Sequence, residues 1–263
     1  MKELRERICV LTVGIGIESE FPSMNKIVTT YEEISDNYRL NLTSEIIMQL
    51  EDNEKIQKKY AMSFLARFAH CISFSILLLS YQFVNQYWED QLQYLQTLFG
   101  INKETAQRYF QTIFQEQFNS SFTQLHQKGE QFINSNLREL LIKENQHFGH
   151  LFGSTYSKMN SKKNELIESC LQSMWSCVLS RPSLRPYPLT FASNLQLNRE
   201  IQSKNIKIAK KFLGNDNGCN SIGYFIWPSL FRRDTNELLH IPITACYTSF
   251  DVIVLNENNI LQK

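Results

Sequence analysis

The chain of 263 residues lacks the short motifs that identify most enzymes and metal sites from sequence. It has no CxxC or HExxH pattern, so we predict no metal site. Gly14-Ile15-Gly16 lacks the third glycine of a phosphate-binding loop, and no G-x-S-x-G elbow is present. We therefore expect no cofactor, no catalytic residue and a non-enzymatic protein. A cysteine–histidine hydrolase stays open as an alternative, because such residues need only meet in the folded chain.

Secretion signals are also missing. The apolar run Ile8–Ile17 has the length of a signal core, but Glu3 and Glu6 precede it and no A-x-A-like cleavage site follows. The six cysteines are widely spaced and are not needed as staples in a chain of this size. We interpret them as buried, reduced side chains and therefore expect a reducing compartment. Residues 1–35 are expected to form a strand or a flexible N-terminal segment.

The net charge of +1 excludes a strongly basic nucleic-acid-binding protein. The charge is unevenly distributed, because residues 181–233 contain nine basic and two acidic residues, a net of +7, and the remainder carries −6. This basic segment fits either an ordinary solvated helix face or a site for an anionic partner. The candidate contacts are Lys204, Lys207, Lys210, Lys211, Arg232, Arg233, Arg181 and Arg185.

Apolar residues at three- and four-residue spacing predict helices over most of the chain. We predict one long helix from Asp52 to Phe99, ended by Gly100, with its apolar run 68–84 buried in a core and not spanning a membrane. A helix from Asn102 to about Gly129, a continuation over 132–142 and a helix from Ser161 to Val178 follow the same spacing. Residues 148–160 have the glycines and polar residues of a long loop, and 197–213 those of a shorter helix.

The C-terminal quarter has a different pattern. The stretch Ile222–Leu230 contains three aromatic residues and Pro228, which indicates a buried anchor interrupted by proline. Two short segments rich in β-branched residues, 238–247 and 250–255, predict a small pair of strands. We therefore predict a mainly α fold, a multi-helix bundle with a small β-strand element near the C-terminus, in which 36–263 form a single domain.

Two tryptophan-containing segments resemble a known family. Tyr224-Phe225-Ile226-Trp227-Pro228-Ser229-Leu230 is similar to the Tyr-x-x-Trp-Pro-Ala-Leu signature in the C-terminal domain of the mitochondria-eating protein family. Cys170–Trp175 with Pro182, and Leu79-Ser80-Tyr81, also resemble segments of that domain. The chain departs from the family at His240-Ile241, where the family has a Lys-Gly pair, and it shows no preceding coiled coil.

The resemblance implies a non-enzymatic domain of mitochondrial quality control that binds anionic phospholipid, especially cardiolipin, and assembles into larger bodies. It implies a place in the cytoplasm and at the mitochondrion, on the outer membrane or in the matrix. The assignment of lipid contacts to the basic residues rests on their charge alone. The alternative is a protein-interaction or self-assembly scaffold in which the acidic remainder pairs with the basic segment of a neighbour.

Overall fold

A computed structural model describes residues 21–155, 160–192 and 222–246. It confirms a mainly α fold with a small β element near the C-terminus. The α-helices in this part of the chain are α1 (Met24–Glu33), α2 (Arg39–Glu51), α3 (Glu54–Gln57), α4 (Met62–Phe99), α5 (Lys103–Glu116), α6 (Phe118–Glu144), α7 (Gln146–Thr155) and α8 (Asn160–Leu179), with a π-helix (Ile34–Tyr38) between α1 and α2.

Helix α4 is the central element of the bundle. It packs against α2, α6, α8 and strand β2 (Ile222–Trp227), and every side chain from Phe68 to Tyr81 is buried. By length and composition alone α4 could cross a membrane, but 78% of its most apolar 18-residue window is buried inside the protein. The burial agrees with the prediction of a core helix, because its apolar face is already covered by protein.

Several predicted helix boundaries were wrong. The long helix expected from Asp52 is divided into α3, capped by the side chain of Asn53, and α4, which begins only at Met62. The next helix ends at Glu116, and α6 then runs to Glu144 without a stop at Gly129. A Cβ at Gly129 would lie 2.7 Å from Leu171 Cδ2, so this glycine lets α6 and α8 approach closely inside a continuous helix.

The predicted loop over 148–160 was wrong for its first half, because α7 runs to Thr155. Asn145 starts this helix by accepting a hydrogen bond from the backbone N–H of His147 at 2.9 Å. Phe148, Leu151 and Phe152 recur at helical spacing and are all buried. Their burial favours a helix despite the two glycines between and beside them. Residues 156–159 lie outside the described part of the chain.

The described part of the N-terminal segment is helical, in place of the strand or flexible chain that we expected for 1–35. Ser23 caps α1, and Ile27 and Tyr31 on its inner face are buried. The π-helix then leads directly into α2, so the helical path crosses residue 35 without a break. The predicted strand within 1–20 lies outside the described residues.

The β element is a bent hairpin with one added strand. Strands β2 and β3 (Ser229–Arg232) are separated only by Pro228, and β4 (Leu238–His240) and β5 (Ile243–Cys246) only by residues 241–242. Strand β3 pairs with β4 and β2 pairs with β5, both antiparallel, while β1 (Leu184–Tyr187) adds to the free edge of β3. The β-strand character of 238–247 was predicted. The two strands formed there, β4 and β5, pair with the earlier strands β3 and β2. The second predicted strand, 250–255, lies outside the described residues.

Residues 223–230 of the anchor stretch are buried, as predicted, and the proline interrupts the strand. Trp227 is 0% exposed, and its ring lies 5.7 Å from the ring of Tyr31 on α1. The carbonyl oxygen of Pro228 lies at the interruption and accepts a hydrogen bond from the Tyr31 hydroxyl at 2.9 Å. Tyr31 therefore joins the N-terminal helix to the bend in the β hairpin.

Two glutamines fix the end of α8 before the added strand. Gln111 Nε2 donates to the carbonyl oxygens of Leu179 and Ser180, and Gln115 Nε2 also donates to that of Leu179. The last carbonyl groups of a helix have no partner within the helix, so side-chain donors stabilise its end. These bonds tie α5 to α8 and set where the chain enters β1.

Candidate functional site

The structure describes half of the predicted anion-contact residues. Lys204, Lys207, Lys210 and Lys211, together with the predicted helix 197–213, lie outside the described residues. The four arginines Arg181, Arg185, Arg232 and Arg233 are described, so the geometry of the candidate site is that of these arginines.

The pairing of β1 with β3 brings the backbones of these four arginines to one end of the β element. Leu184 is opposite Arg232 in the ladder, and the backbone N–H of Arg233 donates to Ser183 at 2.9 Å. Arg185 lies one residue further along β1, and Arg181 precedes the strand. Two basic groups some fifty residues apart in the sequence therefore meet at the same strand ends.

Arg232 is neutralised by neighbouring acids. Its guanidinium group contacts Asp234 and Glu237 in the β3–β4 turn, each at 3.0 Å. The hydrogen bond from Arg232 lowers the pKa of the Asp234 carboxyl group, and the same bond raises the pKa of Arg232. One guanidinium group with two carboxylates carries a net negative charge, so Arg232 is a poor candidate contact for an anion.

Arg181 and Arg233 are held by neutral partners. Arg233 Nη2 donates to the Tyr81 hydroxyl at 2.5 Å and to Asn85 Oδ1 at 2.6 Å, both on α4. Arg181 Nη2 donates to the carbonyl oxygen of Arg108 at 2.7 Å and to an α5 threonine hydroxyl at 2.9 Å. Hydrogen bonds to neutral oxygens orient a guanidinium group without cancelling its charge.

Arg185 has the fewest hydrogen-bond partners of the four arginines. Its Nη2 donates to Asn236 Oδ1 at 2.9 Å, while its Nε is buried without a hydrogen-bond partner among the described residues. Asn236 has a positive φ of 55°, a conformation that asparagine tolerates better than most residues. The tight turn at Asn236 thus places an amide oxygen where it orients Arg185.

The arrangement is an arginine cluster, defined here as Arg181, Arg185 and Arg233. Within the described ranges none of the three forms an ion pair with a carboxylate, whereas Arg232 forms two. The cluster side chains are directed to α5, to the β3–β4 turn and to α4, so they are spread over a surface and do not converge on one atom. Such a distribution suits an extended anionic partner better than a single small ion.

Sequence reasoning missed an apolar surface at the α4–α5 connection. Tyr94, Leu98 and Phe99 in the last turns of α4 are 63, 59 and 56% exposed, and Tyr109 and Ile113 on α5 are also exposed. Exposed apolar patches on proteins mark interaction surfaces. The sequence feature that could have indicated this surface is the apolar pair Leu98-Phe99, which lies at the end of the predicted helix directly before Gly100.

The described cysteines are core residues without features of a nucleophile. Cys71, Cys170 and Cys177 are free and fully buried. Burial raises the pKa of all three thiols, that of Cys177 to about 12. A nucleophilic cysteine needs the opposite shift, because the thiolate is the reactive form.

The described histidines also form no catalytic or metal arrangement with cysteine. His70 is buried against β2, where its Nδ1 lies 3.2 Å from the Tyr224 hydroxyl, and burial lowers its pKa to about 3. His240 is half-buried and packs edge-on against Tyr31. Over residues 21–155, 160–192 and 222–246, no group of three histidine, cysteine or acidic side chains could hold a metal ion.

Comparison of the chain with protein-family models, with curated proteins and with solved structures gave no match. The resemblance to the mitochondria-eating protein family therefore stays a prediction. The class that the fold defines is a mainly helical bundle with a C-terminal β element.

Proposed function

We propose that this chain is a non-enzymatic binding domain that docks on an anionic phospholipid surface, with cardiolipin as its lipid and mitochondrial quality control as its context. The observation that carries the proposal is the arginine cluster, whose charges are not cancelled by carboxylates in the described part of the chain. The sequence resemblance supplies the lipid and the mitochondrial location. The raised pKa values of the buried thiols favour binding over cysteine chemistry.

Each basic side chain near an anionic bilayer contributes about 1 kcal/mol of binding free energy, and the attraction decays within a Debye length. The arginine cluster fits this additive mechanism. The four lysines that lie between Arg185 and Arg233 in the sequence would add to the same attraction. Arg181 and Arg233 are exposed and Arg185 is half-buried, and each of the three is held only by neutral partners. Arg232 is expected to contribute little, since Asp234 and Glu237 already pair with it.

Vesicle co-sedimentation tests the proposal. The wild-type protein should bind vesicles containing cardiolipin at low salt, bind less at high salt and ignore vesicles of neutral phosphatidylcholine. Replacing Arg181 and Arg185 by glutamine should weaken binding about tenfold or more, by the charge contribution above. Lys128→Gln with Arg138→Gln is the matched control, because these residues are exposed on α6 and remove the same charge.

Equal loss of binding in the two double variants would refute the assignment to the arginine cluster. No binding of the wild-type protein to any anionic vesicle would refute lipid binding itself. Charge reversal of Lys204, Lys207, Lys210 and Lys211 tests the other half of the predicted site. Unchanged binding in that variant would remove the lysines from the proposal.

A second candidate function is assembly with another protein or with a second copy of the chain. The exposed apolar side chains at the α4–α5 connection favour it, because such residues are costly to leave in water without a partner. Light scattering over a range of protein concentrations, with and without Leu98→Asp, tests this alternative. A wild-type protein that remains a monomer at all concentrations and salt levels would count against self-assembly.

A further inference from the structure

A cavity of about 280 Å³ lies where α1, α6 and α8 meet. None of the described residues that line it is acidic, and most of them are polar or basic. Pockets for drug-sized ligands have volumes of about 300–1,000 Å³, so this cavity suits a small molecule or a single chemical group. The polar and basic residues of its wall are Lys26, Thr30, Asn119, Gln172, Ser173 and Ser176.

Helix α6 begins at this cavity without a cap. Its first two residues, Phe118 and Asn119, form part of the wall. The preceding residue, Gln117, forms no capping hydrogen bond with its side chain, and the first turn contains no acidic residue. The first N–H groups of a helix have no partner within the helix, and together with the helix dipole they attract a negatively charged group. The start of this 27-residue helix therefore favours an anion in the cavity.

Helix α8 contributes a buried hydroxyl group to the same wall. Ser173 is 2% exposed, and its Oγ forms no hydrogen bond among the described residues. Ser176, on the same helix, instead donates to the carbonyl oxygen of Gln172 at 3.0 Å, which is how a serine within a helix is commonly satisfied. Burial raises the pKa of the Cys177 thiol and Ser173 lowers it, but a thiol is a weak acceptor and the two groups do not reach hydrogen-bond geometry.

This unpaired hydroxyl is an observation independent of the helix start. A polar group buried without a partner destabilises the folded protein, and nearly all such groups in native proteins bind another group or an ordered water molecule. Because Ser173 lines the cavity, an occupant of the cavity can supply the missing partner.

Lys26 supplies a full positive charge. It lies in the first turn of α1, lines the cavity and forms no ion pair within the described ranges. An ammonium group and a helix start at one cavity produce a positive potential that favours an anion over a neutral molecule. A phosphate group has several strong acceptor oxygens, so it can accept hydrogen bonds from the helix N–H groups, a hydroxyl and an ammonium group together.

We propose that the cavity between α1, α6 and α8 binds a phosphate group, either as free inorganic phosphate or as part of a small phosphomonoester. The N–H groups at the start of α6, the Ser173 hydroxyl and the Lys26 ammonium group donate to its oxygens. The bound group joins the N-terminal helix to the bundle. The site is separate from the arginine cluster, whose side chains contact α4, α5 and the β3–β4 turn, and it does not depend on lipid binding.

Isothermal titration calorimetry of the full chain with inorganic phosphate, at constant ionic strength, tests the site. Lys26→Gln should weaken phosphate binding about tenfold, the loss expected for one hydrogen bond to a charged group, and Ser173→Ala should weaken it severalfold. Lys128→Gln removes the same charge at an exposed position on α6 and should leave binding unchanged. A parallel titration with glycerol phosphate distinguishes the two sources: equal or tighter binding assigns the site to a phosphomonoester, and weaker binding assigns it to free phosphate.

Thermal unfolding gives a second measurement. In phosphate-free buffer Ser173→Ala should have a Tm at least as high as the wild type, because it removes an unpaired buried hydroxyl. Phosphate should then raise the Tm of the wild type more than that of this variant. A lower Tm for Ser173→Ala in phosphate-free buffer would show that the hydroxyl already has a partner and would overturn its place in the site.

Two results would overturn the proposal as a whole. One is the failure of both inorganic phosphate and glycerol phosphate to bind the wild-type protein. The other is equal phosphate affinity in the wild type, Lys26→Gln and Ser173→Ala. Lys26 is exposed, so its variant should fold and the comparison remains decisive even if Ser173→Ala is unstable.

Discussion

Removing one hydroxyl group tests how the N-terminal helix is attached to the β hairpin. In Tyr31→Phe the ring stays in the core against Trp227, but the hydrogen bond to the Pro228 carbonyl oxygen is lost. That oxygen lies where the strand is interrupted, and Pro228 is buried. The variant therefore isolates one polar contact between elements 197 residues apart in the sequence.

The expected loss in stability follows from leaving a buried acceptor unpaired, which costs about 1–3 kcal/mol. For a protein of this size, this corresponds to a fall in Tm of about 2–10 °C. Tyr38→Phe is the matched control, because Tyr38 is 38% exposed and forms no hydrogen bond among the described residues. Its effect should stay within about 0.5 kcal/mol.

Chemical denaturation followed by circular dichroism measures the free energy of unfolding of both variants. An unchanged slope m shows that the same surface is exposed on unfolding, so the midpoints can be compared. Equal midpoints for Tyr31→Phe and Tyr38→Phe would refute the attachment through Tyr31. The same reasoning makes Trp227 a structural residue, so Trp227→Ala should unfold the domain. A folded Trp227→Ala protein that had lost only vesicle binding would show that this tryptophan belongs to the binding site.

Three further predictions concern the core. Because burial lowers the pKa of His70 to about 3, the folded protein excludes a proton that the unfolded chain binds, and stability should fall as the pH drops from about 6.5 toward 3. His70→Gln should flatten this acid dependence in denaturation curves; an unchanged slope would contradict it. Gly129→Ala should destabilise, because its Cβ meets Leu171, whereas Gly153→Ala in open space on α7 should stabilise by up to about 1 kcal/mol. A thiol reagent at neutral pH should label Cys71, Cys170 and Cys177 only after the protein unfolds. Fast labelling of any of these three cysteines in the folded protein would support the hydrolase alternative.

The basic residues show where sequence reasoning ends for the candidate site. The sequence shows that Arg232 and Arg233 are adjacent and basic, and on that ground they were equivalent candidates. In the structure Arg232 pairs with two acids of the following turn, whereas Arg233 reaches α4, which is some 150 residues away. Only the folded chain brings Tyr81 and Asn85 to that position, so the difference could not be predicted from local charge.

The helix boundaries show the same limit. Spacing predicted the long helices well because their apolar faces are set by residue order. It failed at residues 148–155, where glycines indicated a loop but burial of Phe148, Leu151 and Phe152 favours α7. It also missed β1, which contains a proline and exists because β3 provides an edge to pair with.

The sequence alone determined the fold class, the buried central helix and the burial of Trp227, because each follows from the order and period of apolar residues along a single segment. Tertiary structure decided which strands pair, which arginines keep their charge, and which polar groups remain unsatisfied in the core, as with the Ser35 hydroxyl. These properties depend on atoms supplied by distant segments. Hydrogen bonds and ion pairs act over a few ångströms, so their partners become known only when the chain has folded.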